Sequence, residues 1–232
     1  HLLVKEFCED VDYLPISEEV SFYLGEKDGK EAAFLIYVDD GLAAGDRPSV
    51  ESFLADLADE FDTSLRGPLD GGTFLGRELS HDVEKKEIVV KVEAQIAKML
   101  ESHNLTCLKP VHTPIQVGTV YKKHEGEPVK KDEYLSLLGR LLFIAQSRPD
   151  IQLAVSTASR YSSNPSPEHH SLLRRIAAYL SYTRKVGMRI KGTPDGQPFA
   201  EEMVVYVDSD FAGDVDTRRS TTGAVLQIDG NT

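Results

Sequence analysis

Cysteine is scarce in this chain of 232 residues: only Cys8 and Cys107 occur, far apart and with no second cysteine near either. A disulfide framework and a zinc site are therefore excluded, and both side chains read as plain thiols. Long apolar runs are missing as well. None approaches the ~18 residues that cross a bilayer, and the N-terminus lacks the basic, apolar, small-residue order of a secretory signal. The chain reads as soluble and intracellular, with no membrane partner. Basic charge is in deficit: 26 Lys and Arg face 38 Asp and Glu, a net charge of -12. Taken whole, that balance opposes phosphate binding, which is driven by Lys and Arg with counterion release. Its distribution reverses the reading for one part of the chain. Residues 1–100 carry 10 basic and 23 acidic side chains, residues 101–200 carry 14 and 8, and residues 201–232 carry 2 and 7.

What is present is enough for a real core, with 41% hydrophobic residues over a length that suits one large or two smaller domains. The most informative segment is Phe34-Leu35-Ile36-Tyr37-Val38-Asp39-Asp40-Gly41-Leu42-Ala43-Ala44, an apolar run that delivers two adjacent carboxylates and turns back. Adjacent anions repel, so such a pair calls for a cation, a shared proton or solvent at its tip. The order reads as a β-hairpin with Asp40-Gly41 as the turn. The region before this hairpin reads as acidic and loop-like, and its Asp10, Asp12 and Asp28 are not promoted to a site.

Val50, Phe53, Leu54, Leu57 and Phe61 then recur at helical spacing. Thr73 to His81 and Glu87 to Val92 read as two strands around a charged turn at 82–86. Val92 to Leu105 resumes helical spacing, and residues 106–130, rich in proline, glycine and lysine, read as an exposed linker. Helices are expected over Asp132 to Gln146, Pro149 to Tyr161 and Pro167 to Tyr182, the last with Ser166 as N-cap and Pro167 at the first position. Gly192 to Pro198 breaks the pattern, and strands resume from Met203 to Asp229. Asp208 and Asp210 lie two apart on one strand face.

In order along the chain stand Phe34 to Ala44, Phe74-Leu75-Gly76, Thr113-Pro114, Gly139, Arg148-Pro149-Asp150-Ile151, Ser163-Asn164-Pro165 with Glu168-His169, Tyr206 to Asp214, and Arg218-Arg219-Ser220-Thr221-Thr222-Gly223. This ordered set resembles the polyproteins of copia-type (Ty1-like) retrotransposons over nearly the whole chain. The resemblance implies an α+β fold: an antiparallel reverse-transcriptase palm with helices on one face over residues 1–91, a helical thumb and connection over 92–198, and the first strands of a ribonuclease H-like domain over 199–232. It implies RNA-directed DNA polymerisation by two-metal nucleotidyl transfer with Mg²⁺, or Mn²⁺ in its place. The partners would be an RNA template, a DNA primer, deoxynucleotides and the rest of the polyprotein. Asp39 matches the palm's metal ligand, Asp40 its neighbour, and Asp208 the first ribonuclease H carboxylate, while Asp210 and Asp214 read as turn or cap residues.

Tyr37, Arg174, Arg175, Arg184 and Lys185 are the candidates for nucleic-acid contact. Tyr161, Tyr179 and Tyr182 read as packing residues. Phe74 to Leu79 is open between primer positioning and ordinary sheet core. Phe211 stands where the family usually has Trp, and Arg140 follows Gly139 where a small residue is common. No second palm aspartate on an apolar strand precedes Tyr37, so this chain alone is expected not to polymerise. A non-catalytic remnant, or a co-opted nucleic-acid-binding scaffold, is the alternative.

Overall fold

Eight residues, Lys30–Tyr37, alternate between a covered and an open face, and the first unit of the chain is built around them. The computed structural model describes residues 2–16, 21–27, 30–67, 71–193 and 202–231; Asp28, Pro68 and most of the 192–198 break lie outside these. The chain divides into two compact units, 1–69 and 70–232. The fold is mixed α+β with antiparallel sheets.

In the first unit, α1 (Leu2–Asp10) leads into an antiparallel sheet of order β1-β2-β3-β4: Tyr13–Pro15, Phe22–Lys27, Lys30–Tyr37 and Asp40–Gly45. Helix α2 (Arg47–Glu60) follows. The region expected as loop before the hairpin therefore holds a helix and two strands, and the expected strand β3 begins at Lys30, ahead of Phe34. The helical signal was present all the same: Val4, Phe7, Cys8 and Val11 recur at i, i+3, i+4 and i+7, and all four join the core of this unit. Ala32 and Phe34 of β3 are buried, and they meet Phe53 and Leu57 of α2 with Tyr13, Tyr23 and Cys8. The Phe53 ring is the hub, 4.3 Å from Tyr13 and 4.9 Å from Phe34 between centroids. Gly25 is required here, because a Cβ would lie 2.6 Å from the Tyr13 ring.

The second unit holds the sheet β5-β6-β7-β8: Gly72–Phe74, Arg77–Asp82, Glu87–Lys91 and Met188–Lys191. The run expected as one strand from Thr73 to His81 is instead a hairpin, with Leu75 (φ 49°) and Gly76 (φ 73°) as its turn. Positive φ at both central residues is the type I′ pattern. Four helices form the main core: α3 (Glu93–Ser102), α4 (Lys131–Ala145), α5 (Gln152–Ser159) behind a 3₁₀ turn at Pro149–Ile151, and α6 (Pro167–Tyr182). Ile96, Met99, Leu141, Ile144, Leu173, Ile176 and Leu180 are fully buried among them. Each such side chain contributes about 1.5–3 kcal/mol.

Helix α3 stops before the expected Leu105. Asn104 turns left-handed (φ 55°), and Asn104 and Leu105 donate back to Glu101 O and Leu100 O, a Schellman closure. The segment 106–130 is not a free linker: Leu108, Ile115 and Tyr121 pack against the helical core. Strands β9 (Met203–Ser209) and β10 (Thr222–Ile228) form a separate antiparallel ribbon.

Candidate functional site

Tyr37 pairs with Asp40 across the β3-β4 hairpin, so its two-residue turn is Val38-Asp39 and not the expected Asp40-Gly41. Gly41 serves packing instead: it sits inside β4, where a Cβ would come 2.9 Å from Phe34 Cε2. Only the first turn residue has positive φ, the type II′ pattern, and that residue is Val38 at 58°. A β-branched side chain there stores strain on the order of 1–3 kcal/mol. Asp39 thus occupies the turn itself, while Asp40 opens β4.

Alternation along β3 decides which way the tip faces. Ala32, Phe34 and Ile36 face the helices, so Tyr37 and its partner Asp40 lie on the opposite side. That side also carries Leu14, Phe22 and Leu24, which are 62%, 37% and 46% exposed. Asp39 and Asp40 are exposed. Neither has a hydrogen-bond or ion-pair partner among the described residues. At a solvated tip, repulsion between them is on the order of 1 kcal/mol at ~4 Å, small against the stability of a domain. Their oxygens are hard donors of the kind Mg²⁺ and Mn²⁺ take.

Asp208 stands elsewhere, on β9, and its carboxylate accepts the neighbouring Ser209 N–H at 2.9 Å. Among the described residues no group of three or more His, Cys, Asp or Glu side chains is placed to hold a metal ion. Asp210 and Asp214 are turn and cap residues. Asp210 Oδ1 accepts Gly213 N–H and Thr221 N–H, and Asp214 Oδ1 accepts Asp216 N–H and Thr217 N–H. Those backbone donors hold both carboxyls below the usual range. Phe211 is 95% exposed.

The four basic candidates separate into two kinds. Arg175 donates to Thr113 Oγ1 at 2.8 Å, and Arg184 pairs with Glu93 at 3.2 Å. Arg174 and Lys185 are exposed, with no such partner among the described residues. Tyr161 is buried, Tyr179 donates to Asp150 Oδ2 at 2.7 Å, and Tyr182, 55% exposed, meets the His112 ring edge-on at 5.0 Å.

Two arginines assigned no role from the sequence organise the unit. Arg77 binds the Leu75-Gly76 turn to the end of α4. Its guanidinium donates to Leu75 O, Ser147 Oγ and Gln146 Oε1 at 3.2, 2.9 and 2.6 Å and lies 5.2 Å from the centre of the Phe143 ring. Arg148 is 1% exposed and grips Asp150 and the last turn of α6 together. The signal for Arg148 was an arginine and an aspartate flanking a proline at a helix start, a pattern a surface turn shares.

Over 205 residues, 84% of its length, the chain is 31% identical to the retrovirus-related Pol polyprotein from transposon TNT 1-94 of Nicotiana tabacum. Over 231 residues, 97% of its length, it is 26% identical to the corresponding polyprotein from transposon RE1 of Arabidopsis thaliana. The chain belongs to the copia-type retrotransposon Pol polyproteins. It spans about 15% of the length of each of these two relatives. The Pol segment is also 36% identical over 103 residues to secreted RxLR effector protein 161 of Plasmopara viticola, covering 69% of that protein. No protein-family model and no solved structure matches it. Among the described residues of this Pol segment, no helix is long and apolar enough to cross a membrane.

Proposed function

We propose that this Pol segment is part of a reverse transcriptase, with the first unit as a portion of the palm, the α3–α6 bundle as thumb and connection, and the β9-β10 ribbon as the opening of a ribonuclease H-like domain. One observation carries the reading: a strained hairpin presents two partner-free carboxylates, Asp39 and Asp40, on the sheet face away from the helices. A turn aspartate retained only for local structure would bond its own backbone, as Asp210 and Asp214 do.

The donor set suits a divalent ion but is short of a full coordination sphere. Asp39 would supply the direct ligand and Asp40 a supporting one, with a further carboxylate from outside the described residues. Mg²⁺ or Mn²⁺, when bound, supplies Lewis-acid activation of a primer hydroxyl and charge neutralisation at the leaving pyrophosphate. The rigid hairpin keeps the two carboxylates in one place, the work that orientation does in catalysis. Exposed Tyr37 flanks them beside the primer end. Arg174 and Lys185 take backbone phosphates of the template and primer, and Asp208 awaits the rest of a second carboxylate site.

Mn²⁺ titration followed by electron paramagnetic resonance tests the proposal. Weak binding by the chain, lost in Asp39→Asn, is expected; equal binding by both proteins would overturn it. Primer extension by the chain alone should be undetectable. Robust incorporation that Asp39→Asn abolishes would show that this segment contains a complete site. The likeness to a short protein whose name lies outside transposition favours a second reading, a non-catalytic scaffold that binds nucleic acid through residues 101–200. Duplex binding with no Mn²⁺ binding at Asp39 would select it.

A further inference from the structure

The connector between α3 and α4 has almost no regular structure, yet it is held at several stations along the start of α6. Val129 N–H donates to Pro165 O at 2.9 Å, Asn164 Nδ2 donates to His124 O at 2.7 Å and Gly126 O at 3.0 Å, and His170 Nε2 donates to Val129 O at 2.8 Å. The deepest station is His169. It is fully buried, with its ring stacked on Tyr161 at 3.9 Å between centroids and 12° between planes.

The two ring nitrogens of His169 have opposite partners. Nε2 lies 3.0 Å from Lys122 O, which can only accept, and Nδ1 lies 3.0 Å from the Ser166 backbone N, which can only donate. Together they require the neutral ring with its proton on Nε2. Ser166 Oγ in turn accepts His169 N–H at 3.2 Å, closing a capping box in which histidine stands where glutamate or glutamine is usual.

We propose that this histidine capping box is a pH-operated clasp, and that protonation of His169 frees connector residues 119–130 from α6. A proton can enter only at Nδ1, where it meets Ser166 N–H. The ring then becomes a donor facing a donor, and the capping bond, about 1 kcal/mol net, is exchanged for repulsion. The imidazolium is also left in a buried place without a hydrogen-bonded anion. Glu168 and Asp216 favour the charged ring, and His124 opposes it; none of the three is hydrogen-bonded to it. Tyr161 and Tyr121 present rings to it, 3.9 and 6.4 Å away, a weaker compensation than the lost hydration. Burial accordingly holds His169 below the usual histidine range.

Release would reach further than the connector. Lys123 N–H donates to Asp216 Oδ2 at 2.7 Å, and Arg160 pairs with Asp214 at 3.6 Å, so the clasped segment also tethers the loop between β9 and β10. Glutamine with the same reach does not titrate, and it can accept from Ser166 while donating to Lys122.

Amide hydrogen exchange at pH 7.5 and 5.0, corrected for the intrinsic pH dependence, tests the clasp. Exchange in 119–130 should accelerate severalfold at pH 5.0, up to a limit of about thirtyfold reached when only the open form titrates in the ordinary histidine range. His169→Gln should abolish that response, and His170→Gln should keep it. Equal protection at both pH values in the unaltered chain would overturn the proposal, as would an unchanged acid response in His169→Gln. If that variant does not fold, ¹⁵N ring shifts of His169 in the unaltered chain decide. The ring and the connector amides must titrate together, and separate midpoints refute the clasp.

Discussion

Replacing Arg148 by methionine keeps most of the aliphatic volume and removes four donor bonds: two to Asp150 at 2.8 and 2.7 Å, one to Thr183 O at 3.1 Å and one to Thr183 Oγ1 at 2.8 Å. The arginine is 1% exposed, so its own desolvation already offsets much of what those bonds contribute. Two losses remain after the exchange. Thr183 O, at the end of α6, loses the Arg148 donor but keeps Val186 N–H at 3.0 Å, a loss of about 0.5–1.5 kcal/mol. Asp150 loses its cation but keeps the Tyr179 hydroxyl at 2.7 Å and is about one-third exposed, so water relieves part of its penalty. The sum is about 2 kcal/mol, below the range for breaking a fully buried pair because Asp150 reaches water and Thr183 O keeps a donor.

Amide exchange of α5 and α6 peptides reads that unit alone and should show its opening free energy falling by this amount. Combining the change with Asp150→Asn should cost less than the sum of the single changes by about 1.5 kcal/mol. A loss under about 1 kcal/mol, or additive effects, would refute the assignment of Arg148 as the tie between α5 and α6. The acid response follows from the same contacts. Burial alone would raise the Asp150 carboxyl, but the bonds from Arg148 and Tyr179 outweigh it and hold the group below its ordinary range. The folded value lies below the unfolded one, so this stability is fully present above about pH 4 and is lost as pH falls through the folded value.

Asp39→Asn and Asp40→Asn should change the unfolding midpoint by no more than a ±0.5 kcal/mol surface substitution does; a loss above about 1 kcal/mol in calorimetry would make the pair structural. Val38→Gly should stabilise the first unit by about 0.5–1 kcal/mol in urea unfolding, because glycine relieves the positive φ at a modest entropic cost. Arg174→Gln and Lys185→Gln should each reduce the salt slope of duplex binding by about 1, whereas Arg184→Gln, already paired with Glu93, should change it less. Equal effects from all three would show that the ion pair does not occupy Arg184. His169 predicts a stability difference between pH 7 and pH 5. Its folded value is lowered, so the contribution is present above about pH 6.5 and declines as pH falls through that value. Scanning calorimetry that shows no such decline would contradict the buried neutral ring.

Local rules were legible wherever a residue's partners lie nearby in sequence. Helix α6 runs over the expected Pro167–Tyr182, because Ser166, Pro167 and the apolar period all point to the same start. The hairpin at Asp39 and Asp40 was legible for the same reason, but its turn was off by two residues. Aspartate and glycine favour turns locally, whereas the register answers to packing: Phe34 needs Gly41 beneath its ring, and that pins the tip at Val38 and Asp39. The ordered motifs along the chain were enough to place it in its family.

Partnerships at long range were not legible. Strand β8 joins β7 from nearly a hundred residues away, and nothing in Met188–Lys191 marks that neighbour. Nor did the sequence distinguish Arg174 and Lys185, open to solvent, from Arg175 and Arg184, held by Thr113 and Glu93. Composition and spacing by themselves determined helices α2 to α6, the hairpin at Tyr37 and where acid and base concentrate, since propensity, periodicity and charge are properties of neighbouring residues. Only the tertiary structure decided that Arg148 and His169 are buried and that Asp39 and Asp40 are free, because burial and pairing depend on what distant parts of the chain bring alongside.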